Sequence, residues 1–361
     1  MYSLGHFPDV PTGSVSDSTA GTLQAVLDAA IEDGLPGVTA TVLVADGEAW
    51  SGAAGTADGV HPVEMGSQFA IGSITKTVIA AEVMRLAEEG LLRLTDPASE
   101  HLPASLDFDT NGATVEDLLA MESGIPDPAL LDGPGMETDP LRDWEAWEIL
   151  ASVPASRGER NRQFAYSNTN YILLGLVIEE TTGTSVAAAL RSQVLVDPRL
   201  SSMVYQPEER PEGPLAHPFI GSRPRPDIIE SGGAYLPTKA SASAGGGAGC
   251  MASDSTALAL WGYLLFGGEL LSEESLSAMT DFGTGEDYDG YGLGLFDQTD
   301  IGEGYGVEAI GNGGWDPGGY SAVLTVLPSE GIVISVMTNQ AGDPRVLVHP
   351  VAQRLASALE E

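Results

Sequence analysis

The hydrophobic pattern at the amino end of the chain predicts one helix and then two paired strands. Apolar residues recur at helical spacing in the stretch TAGTLQAVLDAAIEDG, which ends at Gly34. The next stretch, GVTATVLVADGEAWSGAAG, is rich in Val, Ala and Thr and is divided by Asp46-Gly47, a pair that favours a tight turn. We therefore expect a helix followed by an antiparallel hairpin.

A second helical signal covers FAIGSITKTVIAAEVMRLAEEG, residues 69–90. Ile79, Val83 and Leu86 follow one another at spacings of four and three, which places them on one face of a helix. Gly90 is suited to end this helix because glycine readily adopts the left-handed conformation.

The pattern changes in the middle of the chain and returns to strands near the carboxyl end. Residues 91–300 contain short helical stretches between loops rich in Pro, Gly and Asp, and the clearest are TVEDLLAMESGIPD, NTNYILLGLVIEETTG and STALALWGYLLFGGELLSEESLSAM. The stretches GYSAVLTVLP and GIVISVMTN then predict strands, and PVAQRLASALEE predicts a final amphipathic helix.

This order of elements predicts an α/β (α+β) fold with two lobes. Residues 1–90 and 300–361 are expected to form an α/β lobe with an antiparallel sheet, because both ends of the chain supply strands and helices. Residues 91–299 are expected to form an inserted, mostly helical lobe, with an active site in the cleft between the two.

The composition is that of a folded protein with a strongly acidic surface. The 361 residues are 43% hydrophobic, which is too apolar for a disordered chain despite a net charge of −37. The charge is scattered along the chain, and it disfavours binding to nucleic acid and to anionic membranes. The chain has only two lysines against 52 acidic residues, which is typical of adaptation to high salt or of an acidic, GC-rich genome.

Several kinds of site and location are disfavoured by the sequence. Cys250 is the only cysteine and lies among small residues, so we expect a packed side chain rather than a nucleophile. The histidines lack the spacing of a metal site, and we expect no metal and no cofactor; they are His6, His61, His101, His217 and His349. There is no stretch as long as a membrane span and no signal-peptide pattern, so we expect a cytoplasmic protein unless a leader was removed.

Ser73 and Lys76 are the first candidates for chemistry. Residues three apart on a helix share a face, with Cβ atoms roughly 5–6 Å apart, so the Lys76 amine would lie beside the Ser73 hydroxyl. A serine hydroxyl becomes a strong nucleophile when an adjacent base takes its proton. A lysine ammonium in water is a poor base, but burial and nearby positive potential favour the neutral amine. Short S-x-x-K matches also arise by chance, so this pair needs support from elsewhere in the chain.

Two further stretches could supply that support. Tyr166 and Asn168 precede the helical stretch NTNYILLGLVIEETTG; a Tyr hydroxyl can relay the serine proton, and an Asn amide can hold a carbonyl group. The second stretch is Asn312-Gly313-Gly314, whose glycines would let a substrate backbone approach a strand edge. The Trp315 amide could then pair with the Ser73 amide as an oxyanion hole. Taken singly, each stretch is equally consistent with ordinary packing, helix capping or a turn.

In this order, the three motifs resemble the penicillin-recognising serine hydrolase family. That family comprises class C β-lactamases, D-Ala-D-Ala carboxypeptidases, D-aminopeptidases and related esterases, and its marks are S-x-x-K, Y-x-N and K-T-G or H-x-G. The resemblance covers nearly the whole chain and implies a β-lactamase/transpeptidase-like fold. It also implies that Ser73 is the nucleophile, that Lys76 is the acylation base and that Tyr166 shares the proton relay. A lysine is then retained because arginine cannot lose its proton.

The third motif departs from the family pattern. The family usually has Lys or His at the position of Asn312, and that cation commonly helps to hold a substrate carboxylate. A neutral Asn and a net charge of −37 both weaken the attraction for such a substrate. We therefore expect a substrate without a free carboxylate near the scissile bond.

The leading hypothesis is a serine hydrolase that cleaves a small or peptide-like ester or amide through a Ser73 acyl-enzyme. Two alternatives act on other substrates: a D-amino-acid-specific peptidase, and a carboxypeptidase or β-lactamase. A third alternative is an acyltransferase, which passes the acyl group to an alcohol or amine instead of water. A fourth, from another class, is a non-catalytic ligand-binding sensor on the same fold.

Overall fold

The computed structural model describes residues 7, 9–131, 138–155, 157–158, 160, 163–268, 270–283 and 290–359. The strands within these residues are β1 (Gly37–Val44), β2 (Glu48–Gly55), β3 (Phe69–Ala70), β4 (Val204–Tyr205), β5 (Phe219–Ile220), β6 (Arg223–Pro224), β7 (Met251–Ser253), β8 (Phe296–Asp297), β9 (Ile310–Asp316), β10 (Tyr320–Leu327) and β11 (Ile332–Thr338). Six of them form one antiparallel sheet in the order β2-β1-β11-β10-β9-β8. Because β1 pairs with β11, the two ends of the chain share this sheet.

Helices lie on both faces of the six-stranded sheet. The helices of the described residues are α1 (Asp17–Glu32), α2 (Thr75–Glu88), α3 (Val115–Leu119), α4 (Ala146–Leu150), α5 (Asn168–Thr182), α6 (Val186–Gln193), α7 (Pro226–Ser231), α8 (Lys239–Gly245), α9 (Ser255–Phe266), α10 (Glu273–Met279), α11 (Pro344–Leu347) and α12 (His349–Ala358). Within the described residues, no single helix has the length and apolar composition of a membrane span, and α5 with α6 meets that test only as a pair bent by 72°.

The alternation of side chains along β1 explains why helices pack on both faces of the sheet. Val38, Ala40 and Val42 pack in one buried cluster with apolar residues of α1 and α12. Leu43 packs in the other cluster, and the Thr41 hydroxyl lies 3.0 Å from that of Ser255 at the start of α9. Successive side chains of a strand point to opposite faces, so a strand whose side chains are buried on both faces is covered on both sides. The sheet is therefore the middle layer, with α1 and α12 on one face and α9 on the other.

The structure confirms the β-lactamase/transpeptidase-like fold and the hairpin at Asp46-Gly47. It differs from the expected single helix over residues 69–90, because Phe69 and Ala70 form β3 and a 3₁₀ turn at Gly72–Ile74 precedes α2. The predicted helical stretch STALALWGYLLFGGELLSEESLSAM contains two separate helices, α9 and α10. The lobe boundaries at 91 and 299 stay a prediction, although α9, from the middle segment, packs on the sheet.

Candidate active site

Ser73 and Lys76 lie together at the start of α2. Ser73 occupies the 3₁₀ turn just before the helix, and Lys76 lies in the first turn of α2 with a fully buried side chain. Lys76 Nζ donates to Ser73 Oγ at 3.0 Å, to Asn168 Oδ1 at 2.9 Å and to the Ala248 carbonyl at 2.5 Å. These three contacts hold the Lys76 nitrogen against the serine hydroxyl.

Tyr166 lies on the other side of the serine. Its hydroxyl is 2.7 Å from Ser73 Oγ, and the centroid of its ring is 5.1 Å from Lys76 Nζ. Tyr166 is 38% exposed. Its ring stacks with that of Phe296 at a centroid distance of 6.4 Å, and the Phe164 ring meets it edge-on at 6.5 Å. Ser73 Oγ therefore has an amine and a phenol within hydrogen-bonding distance, which is the arrangement of a serine nucleophile with two proton-transfer partners.

Asn168 connects this site to α5. It is the first residue of the helix; its backbone N–H donates to Asp127 Oδ1 at 2.5 Å, and a carboxylate is favourable at a helix N-terminus. Its side-chain oxygen accepts from Lys76, so only its NH₂ group remains to bind a substrate carbonyl. Asp127 and Ala248 were not found from the sequence. Asp127 lies 41 residues before the helix end that it contacts, and a backbone carbonyl such as that of Ala248 has no characteristic residue type, so neither leaves a local sequence signal.

Strand β9 lies directly against the Ser73 turn. A Cβ on Gly72, which has a φ of +49°, would lie 2.8 Å from both the backbone nitrogen and the oxygen of Trp315. A Cβ on Gly314 would overlap the carbonyl oxygen of Ile71. Only glycines permit this approach of two backbones, which places the Trp315 amide beside the turn that carries Ser73. The oxyanion hole formed by these two amides stays a prediction that this proximity supports.

Asn312 lies in the protein interior beside the site rather than on the solvent-exposed side of the site. The side chain is fully buried, and its Nδ2 donates to the Gly294 carbonyl at 2.9 Å. Its Oδ1 has no hydrogen-bond partner among the described residues. Gly294 in turn packs on α2, because a Cβ there would lie 3.1 Å from the carbonyl oxygen of Lys76 and from the Tyr171 hydroxyl. Asn312 thus anchors β9 to the segment that covers α2.

Three other ionisable side chains, those of Tyr171, Cys250 and Lys239, are buried or paired. Burial raises the pKa of Tyr171, whose ring centroid lies 5.7 Å from Lys76 Nζ, and its hydroxyl donates to the Leu119 carbonyl. Burial likewise raises the pKa of the Cys250 thiol, which keeps it protonated and unreactive. The second lysine, Lys239, forms an ion pair with Asp143 at 2.6 Å.

A serine hydroxyl in contact with a buried lysine amine and a tyrosine hydroxyl, beside strand β9 of an antiparallel sheet, is the arrangement expected of a serine hydrolase related to the β-lactamases. The sequence matches the Beta-lactamase family model over residues 21–358, so the chain belongs to this family. Family membership confirms the resemblance inferred from the three motifs.

Three similar proteins illustrate the relationship. Protein flp from Staphylococcus aureus (strain COL) is 35% identical over 124 residues, which are 33% of this chain and 24% of flp. The crystal structure of a D-stereospecific amidohydrolase from Streptomyces sp. is 27% identical with a TM-score of 0.72, covering 94% of this chain and 98% of that one. The D-amino acid amidase from Ochrobactrum anthropi SV3, in complex with L-phenylalanine amide, shares the fold with a TM-score of 0.77 at 23% identity, covering 96% and 99% of the two chains.

Proposed function

We propose that this protein hydrolyses an ester or amide through an acyl-enzyme on Ser73. The observation that carries the proposal is the pair of short contacts at Ser73 Oγ, 3.0 Å to Lys76 Nζ and 2.7 Å to the Tyr166 hydroxyl. In the acylation step the neutral Lys76 amine accepts the serine proton while Oγ attacks the carbonyl carbon. Tyr166 then passes its proton to the leaving alcohol or amine and is reprotonated by the Lys76 ammonium, which becomes the neutral amine again. In the second half of the reaction a water molecule attacks the acyl carbon, its proton returns to Ser73 Oγ through the same groups, and the acid is released.

The negative oxygen of the tetrahedral intermediate would lie between the backbone amides of Ser73 and Trp315. Both donors belong to rigid elements, the 3₁₀ turn and β9, so they need little reorganisation as charge develops. Removal of a side-chain oxyanion donor in other enzymes lowers kcat by roughly 10²–10³. Backbone donors cannot be removed by side-chain substitution, and their position here depends on the glycines at 72 and 314.

We infer that the preferred substrate has no free carboxylate near the scissile bond. Asn312, at the position where the family usually has a cation, is neutral, buried and bonded to a backbone carbonyl. On the outer side of β9, Pro344 packs against Gly313, and the neighbouring Arg345 is held by Asp343 in a two-point ion pair of 3.0 and 2.7 Å. This paired arginine is a weak anchor for a second anion, and the net charge of −37 adds repulsion.

A second candidate is an amidase or peptidase selective for D-amino acid substrates. It is favoured by the 27% identity to the D-stereospecific amidohydrolase of Streptomyces sp. over nearly the full length of both chains. The two candidates use the same acyl-enzyme chemistry and differ in the substrate. Turnover of D- but not L-phenylalanine amide would favour the second candidate over a general esterase.

The test is hydrolysis of p-nitrophenyl butyrate by wild type, Ser73→Ala, Lys76→Ala and Lys239→Ala. The chain has only two lysines, so Lys239→Ala is a matched control for the loss of one positive charge. We expect activity in wild type and Lys239→Ala and its loss in the other two variants, with a fluorophosphonate labelling Ser73. Ligand binding without labelling or turnover would instead support a sensor.

Two additions to the assay separate the remaining alternatives. Product analysis in the presence of an alcohol or amine acceptor distinguishes hydrolysis from acyl transfer, since a transferase forms a new ester or amide at the expense of the free acid. Repeating the assay in low and high potassium chloride tests salt adaptation, because added salt screens the repulsion among the 52 acidic side chains.

A further inference from the structure

The Trp315 side chain stands on the outer face of β9. On the inner face, a Cβ on Gly314 would overlap Ile71, and Asn312 bonds to a backbone carbonyl near α2. Because side chains alternate along a strand, Gly313 and Trp315 face the opposite way. Pro344 covers Gly313, with 3.1 Å between its Cβ and the position of a Gly313 Cβ, whereas Trp315 is 54% exposed.

The backbone of Trp315 is close to the nucleophile. The Trp315 backbone packs on Gly72, the residue before Ser73, and its amide is the proposed second oxyanion donor. The side chain begins at the Cα bonded to that nitrogen, about 1.46 Å away. A substrate whose carbonyl oxygen meets this amide therefore has the groups next to its scissile bond within reach of the indole.

We propose that Trp315 is a specificity-determining residue that binds an aromatic or large apolar group next to the scissile bond. This inference rests on the proposed function and names a substrate class for it. An indole offers a large apolar surface and stacks on other rings, and the Tyr166 ring, 38% exposed, flanks the serine as well. A small substrate such as an acetyl ester would leave the indole in water.

Exposure alone does not distinguish Trp315 from other residues, since single exposed aromatic residues are common on protein surfaces. Trp147 is 60% exposed and lies on α4, which packs on α5 and α8. What distinguishes Trp315 is that its own backbone packs against the catalytic turn. Trp147 therefore serves as the matched control for the loss of an exposed indole.

The experiment compares p-nitrophenyl acetate with p-nitrophenyl phenylacetate, and phenyl butyrate with ethyl butyrate, in wild type, Trp315→Ala, Trp315→Phe and Trp147→Ala. The first pair varies the acyl group and the second varies the leaving group. We expect the ratio of kcat/KM for the aromatic over the small substrate to fall about tenfold in Trp315→Ala in at least one pair, through KM. The ratio should be largely restored in Trp315→Phe and equal to that of wild type in Trp147→Ala. Ratios in Trp315→Ala equal to those of wild type in both pairs would overturn the proposal.

A binding measurement keeps this test separate from the proposed function. Phenylacetamide and acetamide are titrated into Ser73→Ala and into Ser73→Ala/Trp315→Ala, which requires no turnover. Weaker binding of phenylacetamide in the double variant, by about tenfold relative to acetamide, supports the role of Trp315 even if no ester is hydrolysed. Equal binding of phenylacetamide by both proteins would refute that role even if Ser73 proves to be the nucleophile.

Discussion

Glu82, on helix α2, gives a prediction about the pH dependence of stability. It lies six residues after Lys76 on α2, its side chain is fully buried, and neither carboxylate oxygen has a hydrogen-bond partner within the part of the chain that the structure describes. Burial raises the pKa of Glu82 to about 7, and repulsion from Glu89 adds to this while Arg85 opposes it. The folded protein therefore holds Glu82 as a neutral acid up to about neutral pH.

The magnitude follows from proton linkage. The unfolded chain ionises this carboxyl near its ordinary value of 4.5, while the folded chain does so at about 7. Between these values the folded state binds more protons, so the stability that Glu82 contributes is present below pH 4.5 and is lost as the pH rises through 7. A difference of about 2.5 pKa units at about 1.36 kcal/mol each amounts to about 3 kcal/mol.

The assay is urea unfolding of wild type and Glu82→Gln from pH 5 to pH 8 at one high concentration of potassium chloride, which screens the other carboxylates. The free energy of unfolding of the variant, relative to wild type, should rise by about 2.5 kcal/mol from pH 5 to pH 8, because Gln cannot ionise and the rest of the effect falls below pH 5. The exposed Glu64, replaced by Gln, is the control and should show no such trend. A difference between Glu82→Gln and wild type that stays constant with pH would refute the reasoning.

Two further predictions concern β9 and the layer behind it. Gly314→Ala should abolish ester hydrolysis and lower the melting temperature, because the new Cβ would overlap the Ile71 carbonyl and displace the Trp315 amide. Gly66→Ala is the control, since a Cβ at Gly66 has open space around it. Retained activity in Gly314→Ala would contradict the proposed approach of β9 to the serine. Burial lowers the pKa of His349 to about 4 from 6.5, so stability should be full above pH 6.5 and fall by up to about 3 kcal/mol toward pH 4. Urea unfolding of His349→Gln beside wild type checks this, and an unchanged pH slope in the variant would exclude His349 as the source.

The sequence was most informative where local rules decide the structure. Asp46-Gly47 predicted the hairpin because this turn needs residues that accept positive φ, and Gly47 has a φ of +102°. The spacing of Ser73 and Lys76 predicted their contact because a helical turn brings residues three apart together. Neither inference needed knowledge of distant parts of the chain.

Where distant segments meet, the sequence was less informative. The Ala248 carbonyl that holds Lys76 is 172 residues away along the chain, and a backbone acceptor has no characteristic residue type. The rings of Phe164 and Phe296 behind Tyr166 are equally ordinary in sequence, since aromatic residues are usually explained by packing. The short strand β3 was missed because two apolar residues before a helix give no period that separates strand from helix.

Asn312 shows how a motif position can change its role while the surrounding site is kept. Its side chain lies on the face of β9 that meets α2, so a longer, charged side chain at this position would have to extend toward the serine or be buried without a partner. The shorter Asn instead donates to Gly294 and joins β9 to the segment packed on α2. The position that a family cation would use for substrate binding is here a structural contact. On the proposed function, recognition of the substrate would then depend on other groups around Ser73, and Trp315, which is exposed, has its backbone next to the Ser73 turn.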